Sequence, residues 1–102
     1  MEPIIRKCNK ILRSHYGKQF MQLVIYGSLA RDDATPESDI DLLVLLKSPF
    51  DYFLELRVIV DMLYSIQLES DRLISAKPVD ILEYEQGCIQ FYRNVKQEGI
   101  FV

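Results

Sequence analysis

The chain has 102 residues, 49% of them apolar and 26% charged, a balance that suits one globular domain and excludes a disordered or fibrous protein. A net charge of −3 with no Lys/Arg run argues against a general nucleic-acid binder, whose affinity rests on cationic contacts to phosphate. Two cysteines without metal-type spacing, no signal-peptide core in MEPIIRKCNK and no apolar run of transmembrane length predict a reduced, cytoplasmic protein without membrane contact.

Ile4, Ile5, Cys8, Ile11 and Leu12 recur at the one-face spacing of an amphipathic helix, with Pro3 suited to its first turn and Gly17 to its end. MQLVIY (21–26) is a short branched and aromatic run that stops at Gly27, as a buried strand does. DIDLLVLL (39–46) reads as a second strand, apolar on both faces from Leu42 onward. Ser48 and Asp51 around Pro49 form a capping-box-like start for a long helix to about Ser70. That helix is apolar around much of its circumference, from Phe50 and Phe53 to Leu63 and Ile66, so part of it is expected to face another chain. KPVDILEY (77–84) is the third predicted strand, and a last helix carries Cys88, Ile89, Phe91, Tyr92 and Val95 toward Gly99. The expectation is one α/β (α+β) domain over residues 1–102, a small sheet flanked by helices.

The chemistry is concentrated in GSLARDDATPESDIDLLVLL (27–46). Asp39 and Asp41 alternate onto one face of a strand and sit at its mouth on a rigid apolar support. Two carboxylates this close repel unless a cation lies between them, and Mg²⁺, with its taste for oxygen ligands, waters and phosphates, answers that need. Asp80, between Val79 and Ile81 on the next strand, is expected to be the third acidic wall and to help deprotonate an acceptor hydroxyl. Gly27 lets the backbone approach a ligand, and Ser28 begins a helical turn whose amide and hydroxyl can grip phosphate. Gly-Ser after a strand is usually only a turn, and Asp-x-Asp is often a solvated strand end. Their coincidence, eleven residues apart from Ser28 to Asp39 and followed by a later strand Asp, points to two-metal phosphoryl or nucleotidyl transfer. Arg31 is suited either to phosphate or to a salt bridge with the local acids, whereas Asp32, Asp33 and Glu37 read as loop solvation.

The pattern Gly27-Ser28, Ala30-Arg31 and Ser38-Asp39-Ile40-Asp41, followed by PVDILEY, resembles the minimal nucleotidyltransferases of the DNA polymerase β superfamily along nearly the whole chain. The resemblance implies a mixed sheet with the polymerase β-like nucleotidyltransferase fold. It implies that Gly27 and Ser28 hold the triphosphate of ATP, that Asp39 and Asp41 hold Mg²⁺, and that Asp80 completes a triad around two metals. Where the family commonly has Gly after the Arg, this chain has Asp32, which tolerates the left-handed backbone a turn there needs. Larger relatives add a helical acceptor domain that this chain is expected to lack. Free-standing members resemble antitoxins that transfer AMP from ATP to a tyrosine of a HEPN toxin, an RNase, in a complex of two copies of each chain. Two rival readings are a binding-only antitoxin that masks its toxin through the apolar helix, and an enzyme acting on an antibiotic or a nucleic acid.

Overall fold

The computed structural model describes residues 2–102. Its elements in chain order are α1 (Pro3–Tyr16), β1 (Phe20–Tyr26), β2 (Ile40–Leu46), α2 (Tyr52–Glu69), β3 (Ile74–Asp80), α3 (Ile81–Gln86), α4 (Gln90–Glu98) and β4 (Ile100–Phe101). The sheet runs β3-β2-β1-β4, with β2 and β3 parallel and the other two pairings antiparallel, so it is mixed as expected.

Alternation along the strands divides the core in two. Leu23, Ile25, Ile40, Leu42, Val44 and Leu46 face α1 and α2, meeting Ile5, Cys8, Leu12, Ile59, Leu63 and Ile66. Val24, Leu43, Leu45 and Val79 face the other way, toward Tyr84 of α3 and Val95 of α4. Strand β2 is therefore covered on both faces, which accounts for its unbroken apolar run. Asp41, two residues before Leu43, emerges on the α3/α4 face.

Three expectations need correction. The third strand spans Ile74–Asp80 and not 77–84, because Asp80 ends it by capping α3: its Oδ1 accepts from the Leu82 amide at 2.9 Å. Pro78 is accommodated because β3 is a sheet edge. The long helix starts from Asp51 alone, whose Oδ1 accepts from the Leu54 amide at 3.0 Å, so Ser48 is not its cap. The last helix is preceded by the separate short α3, closed by Gly87 at φ +63°. Strand β4, not anticipated, adds Ile100 and Phe101 to β1 opposite Ile25 and Val24.

Helix α2 buries Ile59, Leu63 and Ile66 and leaves Phe53 (78%), Leu54, Val60, Tyr64 and Leu68 (73%) exposed. Cys8 lies in the core, whereas Cys88 is exposed. Among the described residues no helix is long and apolar enough to cross a membrane.

Candidate functional site

Strand β1 ends at Tyr26, which pairs directly with Asp41 across the antiparallel ladder. The chain then turns at Gly27, held at φ +76°, into a single 3₁₀ turn closed by the Ala30 and Arg31 amides on the Gly27 carbonyl. A side chain at Gly27 would begin inside the Asp41 carboxylate. The left-handed backbone and this close approach both require glycine there. Asp32 takes the left-handed conformation at φ +61°, as its expected role in the turn demands.

The second wall comes from the loop entering β2. Ser38 Oγ accepts from the Thr35 amide at 2.8 Å, and the Ser38 amide donates back to the Thr35 carbonyl, so Ser38 stiffens the approach to Asp39. The Ile40 amide donates to the Leu73 carbonyl at 2.8 Å and fastens the mouth of β2 to the start of β3. Asp39 and Asp41 thus stand on an anchored strand end.

Gly27, Ser28, Arg31, Asp39 and Asp41 line one open cleft of about 710 Å³, joined by Tyr26, Glu37 and Ser38. Its volume lies in the range of small-molecule sites. The sequence reading missed the contribution of α4, which closes one side with Phe91, Asn94 and Glu98. Phe91 meets Tyr26 edge to face, ring centres 5.3 Å apart. Only the apolar spacing of α4 was visible in the sequence, and it does not say that its rim faces a cleft. Glu37, read as loop solvation, also reaches this lining.

Burial, and then the neighbouring Asp39, raise the Asp41 carboxyl above its ordinary range, while Lys77 and Arg31 oppose the rise. Burial and the Asp41 charge push the Tyr26 phenol up to about 12. Arg31 is engaged by acids on two sides: its Nε lies 3.3 Å from Asp33 and its Nη1 3.4 Å from Glu98, so the turn is tied to α4. Both partners are solvent-exposed, which leaves the guanidinium free to exchange them for a stronger anion.

Asp80 is not in this cleft. The parallel register sets Ser75 beside Asp41 and Asp80 beside Leu46, roughly 16 Å further along the strand. Asp80 lines a different cleft with Ser48, Pro49, Tyr52, Glu83 and Tyr92. The expected triad was built on a strand beginning at 77. Starting it at Ile74 carries Asp80 to the opposite end of the sheet. Among the described residues no group of three or more His, Cys, Asp or Glu side chains is placed to hold a metal ion. Asp39 and Asp41 offer the hard oxygen donors that suit one Mg²⁺ with waters and phosphate completing its shell. The set of three carboxylates expected around two cations does not assemble.

A family model described as "Nucleotidyltransferase domain" matches residues 5–102. The Methanocaldococcus jannaschii protein named "Putative protein adenylyltransferase MJ0604" is 31% identical over 102 residues, spanning 96% of this chain and 93% of its own. A second protein of that organism, "Putative protein adenylyltransferase MJ0128", is 37% identical over 71 residues, 68% of this chain and 70% of its own. A crystal structure of a "putative nucleotidyltransferase" from Sulfolobus solfataricus superposes with a TM-score of 0.65 at 17% identity, over 96% of this chain and 75% of that one. A crystal structure of a toxin-antitoxin with AMP-PNP superposes with a TM-score of 0.61 at 18% identity, over 93% and 69%. At such identities these two structures establish the fold.

Proposed function

Because the chain belongs to the nucleotidyltransferase domain family, we propose that it is an ATP- and Mg²⁺-dependent protein adenylyltransferase, the antitoxin of a HEPN-type RNase toxin, which it silences by placing AMP on a tyrosine in the cytoplasm. The observation that carries this reading is the seating of Asp41 directly against Gly27, which brings a carboxylate with hard oxygen donors and a side-chain-free glycine turn into one cleft. The names of the two Methanocaldococcus relatives support transfer to a protein, and the toxin-antitoxin fold neighbour supports a toxin as the acceptor.

In this reading Gly27 and Ser28 bind the triphosphate, Asp39 and Asp41 hold the cation, and Arg31 leaves Asp33 and Glu98 for a phosphate oxygen. A cation held by Asp39 and Asp41 would supply charge neutralisation at the phosphates. The acceptor oxygen forms a bond to the α-phosphorus, the bond from that phosphorus to the pyrophosphate oxygen breaks, and the acceptor proton passes to solvent. Asp80 takes no part.

A second reading, an antitoxin that masks its toxin by binding alone, is favoured by the separation of Asp80 from the cleft and by the exposed apolar side of α2. Intact-mass spectrometry of the co-purified partner decides between them. Incubation with ATP and Mg²⁺ should add whole AMP units, and Asp39→Ala/Asp41→Ala should abolish the addition. Protection of RNA without any added mass, undiminished in the double variant, would sink the enzymatic reading in favour of masking.

A further inference from the structure

Strand β3 presents Ser75, beside Asp41, and then Lys77, beside Leu43, to the same face of the sheet as the cleft. Lys77 does not turn outward to solvent. Its ammonium lies 4.9 Å from the centre of the Phe91 ring and 6.0 Å from that of Tyr26. Tyr26 belongs to β1, two strands and roughly 9.6 Å away across the sheet. The Lys77 stem therefore crosses over β2 at the Asp41–Leu43 segment and delivers its charge to the wall shared by Tyr26, Asp41 and Phe91. Among the described residues it forms no ion pair, and the faces of two aromatic rings hold it instead.

Two divalent cations about 4 Å apart require carboxylates enough to bridge them and to finish both shells. Here the strand position beside Asp41 carries a hydroxyl, Ser75, and the next residue on that face carries a fixed positive charge. That charge repels a second dication and attracts phosphate oxygens, for which an ammonium is a compact partner.

Resting on the nucleotidyl-transfer reading, we propose that Lys77 is a nucleotide-binding residue whose ammonium takes the place of a second divalent cation, so that the cleft binds its nucleoside triphosphate with a single metal ion. The aromatic faces of Tyr26 and Phe91, two residues of the cleft lining, hold the ammonium beside that wall, from which it reaches the cleft when a nucleotide binds.

Equilibrium dialysis with Mn²⁺ and AMP-PNP, counting retained metal and nucleotide per chain, tests this without an acceptor protein. The parent should retain one Mn²⁺ per bound nucleotide. Lys77→Met should weaken nucleotide binding at least about tenfold, with Lys77→Arg retaining most of it. Ser75→Asp/Lys77→Met, which restores a carboxylate and removes the repelling charge, should retain two. Two Mn²⁺ on the parent, no retained nucleotide, or parent-like affinity in a Lys77→Met variant with native circular dichroism would each overturn the proposal. The count on the parent needs no variant to fold. One metal with bound nucleotide but no AMP on the toxin would leave this inference standing and remove the adenylylation reading.

Discussion

The Asp41 carboxylate fills the space in which a side chain on Gly27 would start. Asp41 lies on β2 opposite Tyr26, the last residue of β1, and Gly27 opens the turn that follows, so the contact is set by the sheet register at the strand end. The Asp41 carboxylate and the glycine turn are thereby fixed to each other at van der Waals range. Gly27→Ala should cost about 1–2 kcal/mol from the left-handed backbone alone and should also push Asp41 out of place. Thermal unfolding would show a modest loss, whereas titration with AMP-PNP and Mn²⁺ would show binding reduced by more than that strain explains. Equal affinity for parent and variant would contradict the close packing.

Asp80 offers the sharpest contrast with the site aspartates. As the cap of α3, Asp80→Ala should cost about 1 kcal/mol, or about 4–8 °C in Tm. Nucleotide affinity should stay at the parental value. Asp39→Ala should do the reverse, leaving Tm nearly unchanged and removing metal-dependent nucleotide binding. If Asp80→Ala lost metal-dependent binding instead, the register of β3 would need revision.

That contrast also shows how far the sequence could be read. Helix α1 was legible from its one-face apolar spacing, β1 and β2 from their unbroken apolar runs, and the Gly27–Asp41 motif from its residue types and spacing. Strand β3 was not, since Ile74, Ala76, Pro78 and Val79 make a weak pattern and VDIL looks like a strand centre. The fact that decides the site, Ser75 beside Asp41, depends on parallel pairing between segments separated by α2, and no local pattern encodes that. The α4 residues of the cleft were hidden for a similar reason: Phe91, Asn94 and Glu98 become a rim only once α4 packs on the sheet.

Arg31 links the turn to α4 through exposed pairs with Asp33 and Glu98. Because such pairs contribute little to stability, Arg31→Ala should leave Tm unchanged. If the guanidinium moves to phosphate, the variant should bind AMP-PNP about tenfold more weakly. Glu98→Gln, which frees Arg31 from one competitor, should bind slightly more tightly. Parent-like affinity in Arg31→Ala would assign the residue to the turn alone.

The pH behaviour of Asp41 has a definite sign. Its pKa in the fold is raised above the ordinary 3.8, chiefly by burial and then by Asp39. A carboxyl raised on folding favours the native state most below its unfolded value, and this contribution is lost as pH rises through the folded one. At neutral pH the metal-free protein therefore carries a penalty that Asp41→Asn removes. Tm of the variant should exceed that of the parent by no more than about 4 °C at pH 7, since the group is half-exposed and screened. The gap should close as pH falls below 3.8. Mg²⁺ should raise Tm of the parent and not of Asp41→Asn. A variant less stable than the parent at pH 7 would refute this account.

The double coverage of β2 has a consequence for motion. Its amides are bonded into a ladder on each side and its side chains are packed on each face. Deuterium should therefore enter β2 last, and only when the whole domain opens. The segment from Gly27 to Asp33 is held by short local bonds and the two exposed ion pairs of Arg31, so it exchanges through small excursions of its own. One half of the cleft is thus as permanent as the fold, while the turn loosens locally beyond Gly27, the residue packed against Asp41.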